Sequence, residues 1–116
     1  MHKLINLTPH DMVLCRPEGI PFMTVPASGL VARVNTVNRL ADEYGFLPVV
    51  TYTQEVGEVV GLPAGNGTEI YVVSTQVRLS CPDRPDIVSP GELVRDDKGE
   101  VVGCKSLIVN DCPVWK

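Results

Sequence analysis

The residues able to do chemistry stand in a few short phrases. Thr8-Pro9-His10-Asp11 carries His10, the histidine inside the presumed fold, just past an apolar run. An imidazole held there donates to a ligand or acts as a general base, because its proton exchanges near neutral pH. The structural alternative is that Thr8 and His10 satisfy backbone groups where a strand breaks. Ser74-Thr75 follows the apolar run 69–73. If a helix begins there, its unpaired N–H groups and the two hydroxyls make a modest anion site. Plain N-capping by Ser74 is the alternative.

Asp83-Arg84-Pro85-Asp86 is the phrase with the densest chemistry. A guanidinium offers a planar fork of donors suited to phosphate or carboxylate, and Pro82 and Pro85 stiffen the backbone beneath it. The same fork can instead pair with Asp83, Asp86 or Asp96 and staple the loop. Arg33 and Arg95 lie in strand-like runs. Turned inward, they would join Arg84 in a cationic pocket; turned outward, they solvate a sheet face. Glu55 and Glu58 look like a carboxylate pair, but on a regular strand their spacing sends them to opposite faces.

The inventory disfavours several chemistries. Ser74 lacks the Gly-x-Ser-x-Gly surroundings of a nucleophile elbow. Cys15, Cys81, Cys104 and Cys112 form no Cys-x-x-Cys pair, and with only two histidines a zinc site would have to be gathered from scattered positions. The expectation is no metal, no cofactor, and reduced thiols packed as small hydrophobes. A net charge of −4 argues against a nucleic-acid binder, which needs a concentrated basic face. No apolar run approaches the ~20 residues that span a bilayer, and MHKLINLTPHD lacks a signal peptide's apolar region. A cytoplasmic protein with no membrane partner is expected.

Stiff, local elements must hold these groups. The 116 residues fit one domain, 1–116, with 44% hydrophobic and 21% charged residues, ordinary for a globular chain. Aromatics make up only 5%, so Val, Leu and Ile must build the core, and the valines favour strands. Ten Pro and ten Gly imply many turns. Strands are predicted at 3–7, 12–15 and 20–25, with a turn at 16–19. In 30–35 Leu30, Ala32 and Val34 alternate with Val31, Arg33 and Asn35, as in a half-buried strand.

Residues 36–45 read either as one helical turn capped by Asn38 or as a wide loop. Residues 46–53 and 55–60 read as paired strands, and 61–67 as an exposed Gly/Pro loop. A central strand at 69–73 leads to a short helix at 75–79, with Val77 and Leu79 as its core-facing candidates. Strands at 87–89 and 92–95 lead through the turn 96–99 to 101–104, and 106–109 closes the core. Trp115 is expected to dock the C-terminal tail. The fold class is mostly β, a β-rich α+β domain: one antiparallel barrel or sandwich with one or two short helices.

INLTPHDMVL (5–14), ASGLVARV (27–34), GEVVGLP (57–63), IYVVSTQV (70–77) and DRPDIVSPGELVRDDKGEVVGC (83–104) resemble, in this order, small phage, prophage and bacterial proteins opening with an Asn-Leu-Thr-Pro-His phrase. The resemblance covers nearly the whole chain. It implies a phage setting rather than a reaction, with Asn6, Thr8, His10, Arg33, Ser74, Arg84, Asp86 and Arg95 as its recurrent polar positions.

Three functions follow as expectations. The first is a non-enzymatic binder of a small anionic, nucleotide-type ligand, a phage anti-defence protein that sequesters a host immune signal. Its site would use Thr8, His10, Arg33, Ser74, Thr75, Arg84, Asp86 and Arg95, with Tyr44, Tyr52 or Tyr71 stacking on a base, in a homo-oligomer. The second is a structural or assembly module, a virion component or an adaptor, that contacts other proteins through valine-rich strand edges and the Trp115 tail. The third is an enzyme with His10 as base and a carboxylate such as Asp86 beside it.

Overall fold

The computed structural model describes residues 3–111. In chain order the strands are β1 (Lys3–Asn6), β2 (Met12–Cys15), β3 (Pro21–Val25), β4 (Arg33–Leu40) and β5 (Tyr52–Val60). They continue as β6 (Glu69–Val72), β7 (Ile87–Pro90), β8 (Leu93–Arg95), β9 (Val101–Cys104) and β10 (Leu107–Val109). Helix α1 (Thr75–Ser80) follows β6, and a 3-10 turn (Asp42–Tyr44) lies between β4 and β5. The fold is the expected β-rich α+β class.

Three sheets carry the strands, in the orders β1-β6-β7-β10, β3-β2-β9-β8 and β4-β5. Among the described residues four pairings are antiparallel and three parallel (β1 with β6, β6 with β7, β2 with β9). The sheets do not close into a barrel.

Strand β6 shows why the layers stack as they do. Side chains alternate across a strand. Tyr71 and the following Val73 enter a core with Leu7, Ala32, Val77 and Ile87, while Ile70 and Val72 enter a second core with Met12, Val25, Val88 and Cys104. β7 divides the same way, Ile87 to the first core and Val88 to the second. The first sheet is therefore a middle layer, buried on both faces. The β3-β2-β9-β8 sheet covers one face; α1 and the root of the β4–β5 hairpin, through Val34 and Val59, cover the other. Near-continuous apolar runs such as 70–73 and 87–88 follow from that two-sided burial.

Helix α1 begins where expected. Ser74 has extended backbone and its Oγ accepts from the Val77 N–H at 3.3 Å. Val77 is fully buried, but Leu79 points to solvent. The predicted turn at 96–99 is also present: Asp96 Oδ1 accepts from the N–H groups of Lys98 and Glu100.

The largest correction concerns 36–60. Residues 36–40 are neither helix nor loop; they extend β4, and only Asp42–Tyr44 is helical. Residues 46–53 do not pair with 55–60. The chain instead reverses over 41–51, so that Leu40 faces Tyr52 and Arg33 faces Val60 across one long hairpin. β-branched residues on both strands suit the longer pairing. Leu30, assigned to a buried face, is exposed. The Trp115 tail and Cys112 lie outside the described residues.

Candidate functional site: a β-arm and an apolar cleft

Asn6 organises the Thr-Pro-His phrase. Its side chain is buried, donating from Nδ2 to the carbonyls of His10 at 2.8 Å and Val25 at 3.0 Å. Its Oδ1 accepts from the Thr8 N–H at 2.9 Å and the Thr8 hydroxyl at 2.6 Å. Thr8 and His10 thus include the structural role weighed for them, through the Thr8 hydroxyl and the His10 carbonyl. His10 itself is exposed. It lies at the rim of a cleft of about 340 Å³ between loop 8–11 and the β8–β9 hairpin, over a floor that includes Met12, Leu93, Val101 and Val102. Asp11 Oδ1 accepts from the Ala27 N–H.

Arg84 takes the stapling alternative. Its Nε and Nη2 donate to the two oxygens of Asp86 at 2.8 and 2.9 Å, and Nη2 also donates to the Pro63 carbonyl at 2.9 Å. The Gly/Pro loop 61–67 is thereby tied to the Asp-Arg-Pro-Asp loop. A Cβ on Gly65 would sit 2.6 Å from Asp86 Oδ2, so a side chain at 65 would have to displace the carboxylate that Arg84 holds. Hydrogen bonds from Arg84 hold the Asp86 carboxyl below its ordinary range, against the opposing effect of burial. Burial raises the neighbouring Tyr71 phenol, and Glu69 and Asp86 push it the same way.

A further polar network was not legible in the sequence. Arg78 Nε donates to the buried Ser89 hydroxyl at 2.8 Å and Nη1 to Asn110 Oδ1 at 3.3 Å. Asn110 Nδ2 in turn donates to the carbonyls of Cys81 and Arg84. These three residues lock α1 and the Arg84 loop to β7. No local pattern links positions 78, 89 and 110; only the fold does.

The remaining predicted site residues are dispersed. Arg33 is exposed at the root of β4, opposite Val60. Arg95 is exposed on β8, and its Nη1 donates to the Gly99 carbonyl at 2.8 Å, closing the hairpin turn. Ser74 caps α1 and Thr75 is exposed beside it. Tyr71 is buried in the core and has no face free for a base, whereas Tyr44 and Tyr52 are exposed. Asp86 is taken by Arg84, and among the described residues no hydrogen bond or ion pair joins it to His10. Cys15 and Cys104 are buried and free, and burial pushes the Cys104 thiol up, away from the reactive thiolate.

The β4–β5 hairpin is the feature the sequence reading missed. Beyond its root it stands away from the two other sheets as an arm, with Val37, Leu40, Tyr52 and Val56 exposed along it. Phe46, 80% exposed, stands near the tip with Val49 and Val50, also exposed, and the Tyr44 ring lies 6.2 Å from that of Phe46. Residues 46–50, Phe-Leu-Pro-Val-Val, carry no charge. That uncharged run was the available signal, and it reads equally well as a core strand. Family models, curated proteins and solved structures give no match to this chain.

The arrangement offers contact surface more than reaction chemistry. Soluble monomers rarely leave a large contiguous apolar surface open, and such surfaces mark interaction sites. A two-stranded ribbon is only marginally stable alone and presents both backbone edges for pairing.

Proposed function

We propose that this protein is an assembly module, a small β domain that works by holding a protein partner through its β4–β5 arm. The observation that carries the reading is the arm itself. The radius of gyration is 17.2 Å and the longest dimension 53 Å, where a compact chain of this length has a radius near ~13 Å. The extension ends in apolar side chains, the composition of an interface rather than of a solvated loop.

The small-anion reading has less to rest on. It needs arginine donors converging on one cavity, yet Arg84 is bound to Asp86 and Pro63, Arg95 to Gly99, and Arg33 stands at the arm root. Free thiols at Cys15, Cys81 and Cys104 suit a reducing compartment, and we place the protein in the cytoplasm.

The test compares the wild-type chain with a variant whose arm is made polar on both faces, on one by Leu40→Lys, Tyr52→Thr and Val56→Lys and on the other by Val37→Thr. The wild type should elute as a complex heavier than 12.6 kDa and the variant as a folded monomer. A variant that keeps every association of the wild type defeats the reading.

A further inference from the structure

The chain carries both an apolar protrusion and an apolar concavity. The protrusion is the arm tip, with Phe46, Val49 and Val50. The concavity is the cleft beside β8, floored by Leu93, Val101 and Val102. In the order β3-β2-β9-β8, strand β8 is the outer strand, so the backbone edge next to the cleft is open to an added strand. A protrusion and a matching concavity on one chain are complementary between copies.

The exposed area fits that partner. The chain exposes 7965 Å², where a compact monomer of its mass exposes about 6,200 Å². That excess is larger than the ~800 Å² that one partner contributes to a standard interface.

Resting on the assembly reading, we infer that the arm tip of one copy seats in the cleft of a second copy, beside β8. Reciprocal exchange closes the pair as a two-fold dimer and leaves neither tip nor cleft open. A one-way contact would instead propagate into a ring or filament.

Native mass spectrometry and sedimentation test this on the full chain, with Phe46→Asp/Val50→Asp as the tip variant and Leu93→Asp as the cleft variant. All three side chains are exposed, so each variant keeps its core, and thermal melting followed by circular dichroism checks it. The wild type should run at about 25 kDa, twice 12.6 kDa. Each variant should weaken self-association at least about 100-fold, the loss of a central anchor. Mixed together, the two variants should recover a heterodimer, because one intact tip still meets one intact cleft. A photo-cross-linker at position 46 should join isotope-distinct chains at 93–104.

Wild-type chain that stays monomeric at about 100 µM overturns the inference; the assembly reading then survives only if the polar-arm variant loses a different partner. A dimer indifferent to Leu93→Asp also overturns the inference, because the tip then sits elsewhere, while the arm's role stands. A dimer indifferent to the tip variant and to the polar-arm variant overturns both.

Discussion

Asn6 is a single side chain on which one end of the cleft depends. It bonds both the His10 and Val25 carbonyls and both Thr8 donors, and Val25 is itself buried, so its carbonyl has no easy route to water. Asn6→Ala should cost about 2–4 kcal/mol, several lost hydrogen bonds plus buried groups left unpaired, and lower the melting temperature by roughly 10–15 °C. Asn6→Asp should be no milder, because a carboxylate cannot donate to the two carbonyls. Urea unfolding of both variants checks this. Asp86 sets an acid limit. Arg84 depresses its folded-state pKa, so the pair stabilises fully above the unfolded carboxyl value of about 3.9. That contribution is lost as pH falls below this value towards the depressed folded pKa, the unfolded chain taking its proton first. The urea midpoint of the wild type should therefore fall below pH ~4. Asp86→Asn should be less stable at neutral pH and show a shallower acid slope.

At the scale of elements, the arm depends on its root. Gly61 follows β5 with φ +81°, and a Cβ there would collide with the Val31 carbonyl oxygen. Gly67 also has positive φ, but a Cβ there meets open space. Gly61→Ala should therefore cost more than about 2 kcal/mol and Gly67→Ala nearer 1. Amide exchange at Val59 and Val60 should rise in the first variant only. Elements announced by local punctuation were legible in the sequence: Ser74 ahead of α1, Asp96 and Gly99 at the β8–β9 turn, and the apolar β6. What stayed hidden was pairing between distant segments. Nothing local says that Lys3 lies beside Glu69, or that Leu40 reaches across to Tyr52. The same blindness covers the site. Arg84 in its rigid loop stood out, but whether its fork would meet a ligand or Asp86 depends on a loop geometry that residue types leave open. Arg78 drew no expectation because its partners, Ser89 and Asn110, are far away in sequence.

The whole molecule presents more surface than its size warrants, and that ties stability to association. If two chains cover each other's arms, dilution separates them and lowers their melting temperature. Each tenfold rise in concentration should add about 1.4 kcal/mol per dimer, or about 0.7 kcal/mol per chain, raising the melting temperature by roughly 3 °C. The Phe46→Asp/Val50→Asp variant should melt at one temperature throughout. Scanning calorimetry across two decades of concentration separates the two behaviours. The crossed strand order has a further consequence during synthesis. Residues 3–6 emerge with no partner until 69–72 follow, and Leu14 waits for Cys104. At about 5–20 residues per second that delay lasts several seconds. The β4–β5 hairpin is local and can close early, whereas the cleft needs β9, one of the last strands made. A half-made chain therefore has something to insert but nowhere to receive it, so pairing is deferred until β9 has been made.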